Sequence, residues 1–221
     1  MGFNIAIDGP AGAGKSTIAK KAAKELKFIY VDTGAMYRAI GYYMSHLGVC
    51  LEDEAAVSAG VKDVDVTIAY RDGEQQVIVC GENVSGLIRN EQVGAMASKV
   101  SAYAAVRSHL LDLQRKLARE SDVLMDGRDI GTCILPNADV KIYLTADSAV
   151  RAKRRCLELE AKGIACSLEE IEKQIIDRDY QDMNRAVAPL KRAEDAVLLD
   201  SSYMTIDEVV DAIITLVRQA R

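Results

Sequence analysis

Apolar positions along this chain follow two rhythms. Phe3–Ile7, Phe28–Val31, Val123–Met125, Val140–Leu144 and Val197–Leu199 are short, nearly unbroken apolar runs, which predict strands. Between them apolar residues recur every three or four positions. That spacing predicts helices over Thr17–Leu26, Ala35–His46, Gln92–Arg119 with a break near Ser101, Asp147 or Ser148 to Lys162-Gly163, Leu168–Asn184 and Met204–Arg221. Strands alternating with helices predict an α/β fold, a parallel sheet flanked by helices.

The stretch from about 50 to 90 breaks this alternation. Val64–Tyr70 and Gln75–Cys80 alternate apolar and polar residues around Arg71-Asp72-Gly73-Glu74, the pattern of a β-hairpin. It reads as a small inserted subdomain, too poor in apolar residues to stand alone. Val84–Arg89 is expected to return the chain to helix.

The polar residues that interrupt the first strand–helix pair are the most specific feature. Gly9-Pro10-Ala11-Gly12-Ala13-Gly14-Lys15-Ser16, with Thr17 opening the helix, fits G-x-x-x-x-G-K-[ST] at every fixed position. Glycines let successive backbone N–H groups face an anion, and the following helix adds its positive end. Lys15 would reach the outer phosphates of a nucleoside triphosphate, and the Ser16 hydroxyl would ligate Mg²⁺. Val123–Asp126 is an apolar strand ending in a carboxylate, so Asp126 is a second candidate for supporting Mg²⁺.

Composition narrows the class. The chain has 221 residues and a formal charge of −5, which suits one compact domain without general affinity for nucleic acid. No window is long and apolar enough for membrane insertion, and nothing at the N-terminus suggests export, so a cytoplasmic location is expected. Cys50, Cys80, Cys133, Cys156 and Cys166 form no C-x-x-C pair and read as reduced thiols.

Lys15, Arg38, Arg128, Arg178 and Arg185 are all expected at one edge of the sheet, the carboxyl ends of the strands. On the helix from Leu168, residues Leu168, Ile171 and Ile175 define a buried stripe that Arg178, Asp182 and Arg185 continue. An internal ion network would explain such charges, but two cations and one anion leave a positive surplus suited to an anionic ligand. Neither His46 nor His109 lies in a motif. A site rich in arginine and poor in bases favours phosphoryl transfer to a phosphate, because a phosphate monoester is largely ionised at neutral pH and needs no base.

Taken together, Ile7–Lys15, Asp32-Thr33-Gly34-Ala35-Met36-Tyr37-Arg38, Asp126-Gly127-Arg128-Asp129-Ile130-Gly131-Thr132 and Asn184–Leu190 resemble the bacterial cytidylate kinases of the nucleoside monophosphate kinase superfamily. The resemblance spans the chain, 1–221, as one P-loop kinase domain. It implies MgATP-dependent phosphorylation of CMP and dCMP. It implies that Thr33, Tyr37, Arg38, Ser98, Arg107, Arg128, Asp129, Arg178, Asp182 and Arg185 bind the acceptor. It matches about 50–90 to an acceptor-binding segment and about 151–168 to a lid, where Arg151 and Arg155 would join Lys15 and Arg128 in catalysis. A monomer is expected. Some members carry Gly after the loop lysine, where this chain has Ser16.

Other classes leave different marks. A regulatory GTPase would carry N-K-x-D and D-x-x-G, and neither occurs. An alcohol kinase would need a carboxylate base. A non-catalytic ATP-binding module would turn over nothing.

Overall fold

A computed structural model describes residues 2–221. Its centre is a sheet of β1 (Asn4–Asp8), β2 (Ile29–Asp32), β6 (Val123–Gly127), β7 (Val140–Thr145) and β8 (Val197–Asp200), in the order β2-β6-β1-β7-β8. Every pairing is parallel. Side chains alternate faces along each strand. Ile5, Ile7 and Leu124 pack beneath α1 (Lys15–Leu26) and α8 (Ile206–Ala220). Ala6, Val123 and Met125 meet the opposite layer of α2 (Thr33–His46), α4 (Glu91–Val100) and α5 (Ala104–Glu120). The break predicted near Ser101 separates α4 from α5. α8 starts on a reciprocal cap between Thr205 and Glu208.

The departure from alternation is a second, antiparallel sheet. β3 (Val66–Arg71), β4 (Glu74–Val79) and β5 (Glu82–Asn83) pair in that order. Asp72 and Gly73 both have positive φ, 54° and 77°, as a tight two-residue hairpin turn requires. Val66, Val77, Val79, Val84 and Ile88 join the core beneath α2 and do not form one of their own. Gln75 ties this sheet to the main one: its side chain accepts from Asp32 N at 2.8 Å and donates to Asp32 O at 3.1 Å.

Some expectations are corrected. Val84–Arg89 forms a turn closed by Leu87 N–H and Ile88 N–H on Val84 O, and helix resumes only at Glu91, capped by Asn90. Its apolar residues fasten the insertion instead of lining a helix. A short helix, α3 (Glu54–Gly60), precedes the insertion's strands and was not foreseen. α6 (Ser148–Glu160) and α7 (Leu168–Asn184) pack on Ala152, Cys156, Leu159 and Ile171. Leu168 is exposed, so the buried stripe begins at Ile171. Cys156 and Cys166 are paired as a disulfide, against the expectation of five reduced thiols; α6 and the loop before α7 bring their Cα atoms within 5.9 Å. No helix among the described residues is long and apolar enough to cross a membrane.

Candidate active site

The parallel register brings the strand ends together. Asp32 of β2 lies beside Asp126 of β6, and Asp8 of β1 lies beside Gly127. β1, β2 and β8 each end in aspartate, and β6 carries Asp126 one residue before its end. This repeated carboxylate after an apolar run is the signal that would have found Asp8 and Asp32, which the sequence reading left out of the site.

The phosphate loop leaves β1 at Gly9. A Cβ there would come within 1.9 Å of Leu144 O, so only glycine passes between β1 and β7. Lys15 is buried and donates to Pro10 O at 2.7 Å, curling over its own loop. Burial, and then nearby Arg128, hold the Lys15 ammonium well below the ordinary lysine range. Ser16 donates to Asp126 at 2.9 Å, and Tyr30 donates to the other oxygen of the same carboxylate at 3.1 Å. Burial, and next the charge of Asp32, push the Asp126 carboxyl up.

Asp8 acts on the turn after β6. Its oxygens accept from Ile130 N at 2.7 Å and Gly131 N at 2.8 Å. Burial outweighs these bonds and raises its carboxyl to about 6. The turn it grips opens a π-helical segment, Ile130–Ile134, and aims Arg128 and Asp129 at α7 and α5. Thr33 does not cap α2. That cap is Asp32, accepting from Ala35 N, while buried Thr33 donates to Asp126 O at 2.7 Å and joins β2 to β6.

The remaining charges interlock around a cavity of about 120 Å³. Asp129 pairs with Arg107 and, at 3.4 Å, with Arg185. Asp182 accepts from Arg128 at 2.8 Å and lies 3.9 Å from Arg185. Arg38 pairs with Asp32 at 2.7 Å. Arg107 also stands over the Tyr37 ring, 5.4 Å from its centroid. Burial works against ionisation of Asp182, yet Arg128 keeps its carboxyl below the usual range. Arg178 has a buried Nε without a partner, and burial followed by Arg128 lowers its pKa. The same is true in direction of Arg185, through burial and then Arg107. An ion network therefore exists, but it spans α5, the turn after β6 and α7, and cations outnumber carboxylates. Ser98 lines the cavity from α4.

Arg151 and Arg155 part company. Arg151 is buried and donates to Ala11 O and to Ala146 O, both at 2.8 Å. Arg155 instead turns to Glu91, at the start of α4, and to Glu158. It lines the wider cleft, as do Ala11, Gly12 and Ser16 of the phosphate loop. Asp179, which pairs with Arg151 at 2.7 Å, was also missed. Aspartate next to arginine on a helix is too common a pattern to single it out.

The family model described as cytidylate kinase matches residues 5–219. The chain belongs to the cytidylate kinase family. Among curated relatives, the cytidylate kinase of Desulfitobacterium hafniense (strain Y51) is 48% identical over 97% of this chain and 92% of its own. The cytidylate kinase of Geobacillus sp. (strain WCH70) is 47% identical over 98% of this chain and 97% of its own. Among solved structures, an uncharacterized protein from Eubacterium ventriosum ATCC 27560 aligns over 98% of both chains with TM-score 0.54 and 13% identity, a likeness of fold. For a cytidylate kinase family member, the motif residues that carried the resemblance are the ones the fold gathers at one sheet edge.

Proposed function

We propose that this chain is a cytidylate kinase that transfers the γ-phosphoryl group of ATP to CMP or dCMP, giving ADP and CDP or dCDP. The observation that carries this reading is the surplus of guanidinium around the small cavity beside Lys15, with the Arg178 Nε buried and unpartnered. A dianionic acceptor phosphate satisfies that surplus. An oxygen of that phosphate forms the new bond to the γ-phosphorus while the bond from the γ-phosphorus to the β,γ-bridging oxygen breaks, and ADP leaves with the electron pair. Lys15 and Arg128 face the charge that shifts between the two phosphates, where fixed cations act most strongly.

No base is required, and none stands ready. Both oxygens of Asp8 are occupied by backbone amides, and Asp129 and Asp182 are held by arginines. That argues against an alcohol acceptor. Ser98, Arg107 and Asp129 border the end assigned to cytosine, with Thr33, Tyr37 and Arg38 along the acceptor wall. An ill-matched base would leave these buried groups unpaired. In this reading about 50–90 is the acceptor-binding segment and about 151–168 the lid.

Mg²⁺ fits the donor set beside Lys15. Ser16 hydroxyl and the buried Asp126 carboxylate lie 2.9 Å apart, two hard oxygen donors that leave room for water and phosphate ligands. A cation beside the Asp126 carboxyl would oppose the rise that burial imposes on it. Ser16 and Asp126 would hold the ion, Tyr30 would orient the carboxylate, and the ion's chemistry there would be to offset phosphate charge.

A coupled assay of ADP release with CMP, dCMP, UMP, AMP and shikimate tests the reading. CMP and dCMP should lead. Equal or faster turnover of shikimate, or none with any nucleotide, would reject it.

A further inference from the structure

Two consecutive residues of α7 serve different neighbours. Arg178 borders the small cavity with Arg128 and Asp182. Asp179 points the other way, to Arg151 of α6, at 2.7 Å. Arg151 passes the contact on: NH1 donates to Ala11 O in the phosphate loop and Nε to Ala146 O after β7, each at 2.8 Å. Its Cβ lies 3.6 Å from where a Cβ on Gly12 would stand. A continuous polar path thus runs from α7 through Arg151 to the phosphate loop.

The Arg151–Asp179 pair is well sheltered. The two side chains are 6% and 13% exposed, so salt and water screen them little. The second Asp179 oxygen is buried with no hydrogen-bond partner, so the carboxylate is held from the Arg151 side alone. A guanidinium carries more N–H groups than these bonds use. With Nε, NH1 and NH2 each anchored, the guanidinium plane is fixed beside the phosphate loop.

We infer that Asp179 is a positioning residue for the phosphoryl donor, acting through Arg151, although it sits on the helix that carries acceptor-binding side chains. Losing the carboxylate frees one branch of a long side chain and leaves its buried charge without a counter-charge. The phosphate loop then meets a guanidinium held by two carbonyl bonds alone. The acceptor cavity, one residue away on the helix, keeps its own bonds. α7 would so link the two substrates: a shift of the helix that moves Arg178 moves Asp179 with it.

This inference rests on the proposed kinase reading, and the test separates the two. Wild type, Asp179→Asn, Asp179→Glu, Arg151→Lys and the Arg151→Lys/Asp179→Asn double variant are compared by steady-state kinetics with ATP and CMP varied in turn. Asp179→Asn should raise KM for ATP about tenfold, the loss of one charged hydrogen bond, with KM for CMP within about twofold. Asp179→Glu should recover part of that loss, and the double variant should be no worse than the poorer single one. Where kinetics are confounded by folding, thermal melts give a second reading: ATP should protect Asp179→Asn less than wild type, while CMP protects both alike. Equal rises in both KM values, fully additive losses, or unchanged ATP protection would overturn the role of Asp179. A wild-type protein that releases no ADP with CMP would overturn the kinase reading instead.

Discussion

At the scale of single residues, the buried carboxylates decide how the protein responds to pH. Asp8 titrates at about 6 when folded, above the free value of 3.8, because burial outweighs its two amide bonds. The folded chain therefore holds that proton more tightly than the unfolded chain. The contribution of Asp8 is fully present below the unfolded value and is lost as pH rises through about 6. Asp8→Asn removes this titration. The stability of wild type minus that of Asp8→Asn, from urea unfolding, should fall by about 1 kcal/mol between about pH 5 and about pH 7. A difference that stays flat or rises would contradict it. Residues were legible in the sequence where a motif fixed the backbone. Lys15 and Ser16 fall where the phosphate loop passes into α1, as the motif's strand–loop–helix context predicts. Arg151 and Arg155 were not separable, since i and i+4 spacing puts both on one face. Only the tertiary neighbours, Ala11 for one and Glu91 for the other, drive them apart.

At the scale of elements, the antiparallel insertion is held by few polar ties. Gln75 makes paired bonds with the Asp32 backbone, and the Tyr70 hydroxyl donates to Tyr30 O at 3.2 Å. Asp32 in turn caps α2 and holds Arg38, so Gln75 supports Arg38 at one remove. Gln75→Ala should cost about 1–2 kcal/mol, two partly buried hydrogen bonds less their exchange with water. It should also speed amide exchange in β3 and β4 ahead of β1 and β6. Uniform exchange across both sheets would show that the tie is unimportant. The hairpin was legible because period-two alternation around Asp72-Gly73 has few other meanings. Val84–Arg89 misled because a few apolar residues at helix-like spacing also suit a turn pressed onto a core. The α4–α5 break was legible, as the apolar seam shifts phase at Ser101.

At the scale of the whole molecule, strand order could not be read from periodicity. The place of β6 between β2 and β1 depends on pairing, which no local pattern records. That order is what seats Asp126 between Asp32 and the phosphate loop. Across the wide cleft, Arg155 of α6 reaches Glu91 of α4, yet the carboxylate is 73% exposed. Such a pair contributes little. Glu91→Ala should leave the unfolding free energy within about 0.5 kcal/mol of wild type, measured by chemical denaturation. A larger loss would mean that the cleft's walls lean on this contact and not on the sheltered Arg151–Asp179 pair.

The passage at Gly9 sets a limit on redesign. There the backbone slips past a carbonyl of the neighbouring strand with less clearance than one methyl group needs. An engineer who wanted this scaffold to accept a different phosphoryl donor would find no freedom at the loop's first turn. New selectivity would have to be carved from the walls that face the donor's sugar and base.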